Sequence, residues 1–189
     1  MSGLKLYSLY EGSDQNFETK MKWIGITGTW KVTNQEVEKD VRNFVREVIK
    51  RGDGIVVGGA PGVDYFATDE ALVCNPQANH IRVFIPATLV QYAAYYRQRA
   101  NEGVCTHEQA EGLIAQLTKL QHANPAALTE NIENKPINRI AFFARNTQIV
   151  NASDELAAFQ VNESLGTQNT IDTARAQGKV VRLRQYSIF

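Results

Sequence analysis

The chain has 189 residues, 43% hydrophobic and 21% charged, and its acidic and basic side chains cancel to a net charge of zero. That composition is typical of a soluble globular protein with apolar material for one sizeable core, and it argues against a domain that coats nucleic acid through overall charge, leaving only local basic surface. Cys74 and Cys105, outside any C-x-x-C, read as reduced thiols; with no secretory leader pattern and no run near the about 20 apolar residues that cross a bilayer, a cytoplasmic protein without a membrane partner is expected.

Residues 1–21 read as an N-terminal arm, whose Leu4, Leu6, Tyr7, Leu9 and Tyr10 suit an edge strand or a packing contact, and 22–189 as one domain. Trp23 to Thr27 is the first expected strand, followed by Gly28-Thr29-Trp30. Thr33 to Glu36 has the form of a capping box. Val37, Val41, Phe44, Val45, Val48 and Ile49 then repeat at spacings of an amphipathic helix that Gly52 stops. A second strand, Ile55 to Val57, runs into Gly58-Gly59-Ala60-Pro61-Gly62 and a helix to about Cys74; a third, Ile81 to Ile85, closes at Pro86. This β-α-β-α-β order predicts an α/β fold with a mainly parallel sheet, right-handed crossovers and helices on both faces. Ligands then bind beyond the carboxyl ends of the strands.

Residues 87–136 interrupt the scheme as a helical insert. Tyr92, Tyr95, Tyr96, Arg97 and Arg99 lie at helical spacing between Gln91 and Ala100, and Thr106 to Gln109 caps a second helix. A loose polar segment spans 126–135 between Pro125 and Pro136. The pattern resumes with a helix over Ile137 to Val150, a strand over Glu155 to Val161, and Asn162 to Thr167 as a turn. A helix from about Gln168 to Gln177 stops at Gly178, and Lys179 to Leu183 is the last strand.

The glycine loop carries the clearest chemistry. Gly58, Gly59 and Gly62 free the backbone to turn sharply, and the first N–H groups of the following helix lack internal partners and favour an anion. Strand, glycine loop and helix make a phosphate site or, on the plainer reading, a tight turn that glycine permits sterically. The loop matches neither G-x-x-x-x-G-K-(S/T) nor G-x-G-x-x-G. Gly166 and Thr167 form a second such unit. Asp64 suits a ribose hydroxyl or simply the helix N-terminus. Arg145 offers a planar fork to phosphate, or forms a structural ion pair with Asp64 or Glu163. Asn146 reads a base edge or holds Arg145. Gly28 and Thr29 lie at the same sheet edge, where Trp30 can stack on a base or pack; Asn162 and Glu163 suit ribose or base. The tyrosine and arginine stripe fits a single-strand binder, or a packing face with arginines reaching to solvent. His80, His107 and His122 have no metal-ligand spacing, so no metal is expected.

In order and spacing these motifs resemble a superfamily that joins the DNA-processing protein A (Smf) family, the Lonely-Guy phosphoribohydrolases and related Rossmann-like nucleotide-binding proteins. The resemblance covers roughly residues 22–184, with 87–136 poorly matched. Gly58 to Asp64 with Ala67 is similar to S-G-(L/G)-A-x-G-(I/V)-D-x-x-A of the DNA-processing family. Arg145-Asn146-x-x-Ile149 resembles its R-N-R-x-I, and Ser164 to Thr167, Ala174 and Gly178-Lys179-x-Val181 its S-G-(S/T) ending. The resemblance implies a Rossmann-like, doubly wound fold. It also implies a phosphate-containing nucleotide ligand between the Gly58–Gly62 and Gly166-Thr167 loops with Arg145 over it. The phosphoribohydrolases carry a glutamate where this chain has Thr170, so a nucleoside 5′-monophosphate N-glycosidase would need Glu163 or Asp64 instead. Members of the DNA-processing family bind single-stranded DNA, which is the third expectation. Beyond a nucleotide no cofactor is implied, and the aromatics of the arm and insert suggest self-association.

Overall fold

The computed structural model describes residues 20–133 and 136–188. The arm expected over 1–21 falls, apart from Lys20 and Met21, outside the described residues. The elements run β1 (Trp23–Gly28), α1 (Gln35–Lys50), β2 (Gly54–Val57), α2 (Val63–Cys74), β3 (Ile81–Ile85), α3 (Leu89–Asn101), α4 (His107–Ala123), β4 (Leu128–Glu130), α5 (Arg139–Asn151), β5 (Glu155–Val161), α6 (Leu165–Ala176) and β6 (Val180–Tyr186). The six strands form one sheet in the order β4-β3-β2-β1-β5-β6, and every pairing is parallel. The doubly wound α/β fold expected from the sequence is the one observed.

Strands β1 to β4 step across the sheet in one direction, and β5 to β6 step in the other. Right-handed crossovers therefore put α1, α2 and α4 on one face and α5 and α6 on the opposite face. The alternation along β5 records this. Ala157, Phe159 and Val161 enter the core shared with α1 and α2, where Phe44 meets Phe159 edge to face at 5.7 Å. Leu156 and Ala158 enter the smaller core with Val150, Ile171 and Ala174. Each fully buried aliphatic side chain contributes about 1.5–3 kcal/mol, so the two cores fix the strand register on which the site depends. No helix of the described residues is long and apolar enough to cross a membrane.

Four local expectations need correction. The segment 126–135 holds a strand: Leu128–Glu130 pairs with Val83–Ile85 and extends the sheet, so α3, α4 and β4 complete a further crossover. Helix α6 starts at Leu165, three residues before the expected Gln168, so Gly166 and Thr167 lie in its first turn. The last strand continues past Leu183 to Tyr186, held along its length by β5. The cap of α1 is Asn34, not Thr33: its side-chain oxygen accepts from the N–H of the third helical residue, Val37, at 3.0 Å, the bond a capping asparagine makes as readily as a threonine.

Candidate functional site

In an open parallel sheet the crevice forms where neighbouring strands send their connections to opposite faces. Here that point lies between β1 and β5. At their carboxyl ends is a cavity of about 570 Å³, walled by Gly28 at the end of β1 and Trp30 and Lys31 after it, by the inner face of α5, and by the first turn of α6. Ala60 and Asp64 form its floor, and Tyr95, Tyr96 and Arg99 of α3 close one side.

Arg145 and Asp64 set the floor. Both are only 7% exposed. Arg145 Nη1 donates to the Gly58 carbonyl and lies 3.4 Å from Asp64 Oδ2. The same carboxylate oxygen accepts from the Ala60 N–H at 3.3 Å. Burial pushes the Asp64 carboxyl above its ordinary range, and Arg145 with the Ala60 and Gly58 N–H groups partly offsets that rise. Of the two partners weighed for a structural ion pair, Asp64 is the one Arg145 meets.

The pair explains the glycines. A Cβ on Gly58 would fall 1.4 Å from Arg145 Nη1, so only glycine leaves the guanidinium room. Gly62 has φ +72°, and a Cβ there would come within 2.6 Å of the Thr29 carbonyl, which accepts from the Val63 N–H at 3.2 Å. The loop thus carries its own anion: the Asp64 carboxylate takes up donors that a phosphate would otherwise find. Gly58, Gly59 and Gly62 do not line the cavity, and among the loop residues Ala60 does. Gly58→Ala is expected to lose about 2–3 kcal/mol of stability through overpacking, read as a lower urea midpoint at unchanged slope.

The free donors lie across the cavity, on α6. The first N–H groups of a helix have no intrahelical acceptor, and the helix dipole adds positive potential. Thr167, 1% exposed, lines the cavity with its Oγ1 unpartnered, and so does Arg145 Nε. Asn146 Nδ2 donates to the Gly166 carbonyl at 3.4 Å, tying α5 to this turn rather than to Arg145. Thr170, fully buried, gives its hydroxyl to the Gly166 carbonyl at 3.1 Å and is an in-helix residue. Glu163 is exposed at φ +51°, in the turn before α6, and does not line the cavity. Thr29 is buried behind the loop and also lies off the cavity wall.

The candidate residues therefore separate. Gly28, Asp64, Arg145, Asn146, Gly166 and Thr167 converge on one cavity. Gly58, Gly59 and Gly62 support it from beneath, and Glu163 stands outside. Sequence reading missed Lys31, Arg139 and Phe143. Arg139, Phe142, Phe143, Asn146 and Ile149 all line the cavity at helical spacings of one face, a signal the sequence does contain. Lys31, in a loop, carried no such signal. Its Nζ lies 5.0 Å from the Trp30 ring, and Arg139 lies 5.0 Å from the Phe143 ring. Among the described lining residues the cations are Lys31, Arg99, Arg139 and Arg145, against one carboxylate, Asp64. A chain of zero net charge thus holds a locally cationic, aromatic-edged cavity.

No curated protein sequence matches the chain significantly. Among solved structures it is similar to DNA processing protein A from Helicobacter pylori, described with a single-stranded DNA binding mode. That match has 20% identity and a TM-score of 0.61, over 85% of this chain and 63% of that one. It is also similar to DNA processing protein A from Streptococcus pneumoniae, at 16% identity and a TM-score of 0.57, over 86% of this chain and 50% of that one. A structural-genomics target, TM1055, matches at 15% identity and a TM-score of 0.52, over 85% of this chain and 72% of that one. The chain spans less than two thirds of the length of the first two, and likeness at these identities speaks to the fold alone. A family model described as DNA recombination-mediator protein A matches residues 6–188, nearly the whole chain. The chain belongs to the DNA recombination-mediator protein A family.

Proposed function

We propose that the chain binds single-stranded DNA, with a backbone phosphate at the first turn of α6 and bases against the aromatic edge of the cavity. The observation that carries this reading is the cationic rim of Lys31, Arg99 and Arg139 interleaved with Trp30, Tyr95 and Phe143 around unpartnered donors. Cations tracking a backbone and aromatic rings under bases are what a single strand needs, and neither demands a particular sequence. Family membership and the single-stranded DNA binding mode described for the Helicobacter pylori protein support the same reading. Fluorescence anisotropy with a labelled oligodeoxythymidylate tests it. Binding should weaken with salt at a log–log slope of about −2, for three cationic contacts on a single strand. No binding at low salt, or binding indifferent to salt, counts against it.

A second reading keeps the same anion site for a free nucleotide. It is supported by the depth of the cavity, whose Thr167 hydroxyl and Arg145 Nε are shut from water without partners. A nucleoside monophosphate should then raise the melting temperature and displace the labelled oligonucleotide.

A further inference from the structure

The tyrosine and arginine stripe of α3 is mostly occupied within the fold. Tyr92 and Tyr96 are buried, Arg97 pairs with Glu111 at 2.7 and 3.0 Å, and Arg99 and Gln98 both bond to Glu102, at 2.5 and 2.9 Å. Tyr95 backs Phe142 of α5, ring to ring at 5.9 Å. Helix α3 therefore gives the main cavity a packed wall. With the residues after β1, the inner face of α5 and the head of α6, that wall encloses the cavity on four sides, over a floor of Ala60 and Asp64.

Such a well constrains what a strand can put into it. About 570 Å³ is room for a single small ligand. A stacked run of bases keeps neighbouring rings in contact, and the walls leave no path for a second ring to follow the first. One base can enter, and only by leaving its stack, as bases do when they are turned into a pocket. The rings of Trp30, Phe142 and Phe143 are half-buried in the walls and offer that base new faces. Lys31 and Arg139, beside two of those rings, have no carboxylate partner among the described residues and remain available to the flanking phosphates.

The lip carries a side chain suited to the gap left behind. Among the large apolar side chains that line the cavity, only Leu165 is exposed, at 73%. It opens α6 and directly precedes Gly166 and Thr167, where the phosphate is assigned. An apolar side chain next to a bound phosphate is within reach of the bases that this phosphate joins. Leucine is among the residues that proteins insert between bases to hold a stack open.

We infer that the bound strand turns one base out of its stack and into the main cavity, with Leu165 filling the gap between its neighbours. This inference rests on the single-strand reading and adds a preference to it. The favoured partner is a strand with at least one weakly stacked base, a thymine before an adenine.

The test compares three unlabelled strands of about twelve nucleotides, one all dT, one all dA and one of dA with a single central dT, by anisotropy competition on the full chain. The dT strand should bind about tenfold more tightly than the dA strand, where the base to be turned out is a more strongly stacked purine. The single dT should recover most of that difference, because one base is all that leaves the stack. Leu165→Ser should weaken binding of the dT strand about tenfold. Leu165→Met should bind like the wild type, and Val73→Ser, at a similarly exposed valine in the last turn of α2, should change nothing. Equal affinity for the dT and dA strands, no recovery from the single dT, or full affinity in Leu165→Ser overturns the inference and leaves strand binding standing. Failure of every strand to bind overturns both.

Discussion

Arg145→Ala is expected to lower folding stability by about 3–5 kcal/mol, the largest effect of any single substitution in the site. The guanidinium is the cation facing a carboxylate that is 7% exposed, and it also satisfies the Gly58 carbonyl. Removing it leaves the buried Asp64 carboxylate with backbone N–H donors but no facing cation, and takes the guanidinium donor from the Gly58 carbonyl, each a cost in its own right. Asp64→Ala should cost a comparable amount, because it strands the guanidinium in the same place. The two losses should not add: the pair Asp64→Leu with Arg145→Met should be more stable than either alanine variant, since neither charge then remains unpaired. Urea unfolding of the four proteins checks this. A loss below about 1 kcal/mol for both alanine variants would mean that the pair is solvated and does not hold the floor.

Charge reversal of Lys31 together with Arg139 should weaken single-stranded DNA binding by about ten- to a hundredfold near 0.1 M salt. The salt slope should also become shallower by about 0.7 for each residue. Both side chains line the cavity beside an aromatic ring, and Arg139 opens α5, whose first turn lies exposed at the mouth. Their reversal removes backbone contacts without touching the core, so stability should stay within about 0.5 kcal/mol of the wild type. Anisotropy titrations across salt, with urea unfolding alongside, separate the two effects. Equal salt slopes in the variant and the wild type would place the strand elsewhere.

The fold is legible where a strand is an apolar run ending in glycine or a turn. Strand β2 and strand β5, over Glu155–Val161, fall where the residues indicate. Strand β4 is not legible, because three residues with only Leu128 buried carry no alternation to read; it exists because β3 offers an open edge. The first turn of α6 is missed for a related reason. Gly166 suggests a loop, yet it sits in the helix with open space around it. The glycine loop is recognised by its residues but not by its task, since nothing local says that Arg145, far along the chain, needs the space beside Gly58. The Asp64 partner follows only from α5 bringing Arg145 against the loop after β2. Zero net charge hides the cationic rim, which comes from loops and helix ends far apart in sequence and becomes a feature only when the sheet brings them together.

The most direct measurement uses Gly166→Asp. A Cβ there meets nothing within 4 Å, and an acidic residue in the first turn suits the dipole of α6, so the protein should fold with unchanged or slightly higher stability. Its carboxylate would occupy the place assigned to the strand's phosphate. Anisotropy with a labelled oligodeoxythymidylate should then show affinity reduced by at least about tenfold. Unaltered affinity in a folded Gly166→Asp protein would contradict a phosphate site at the head of α6.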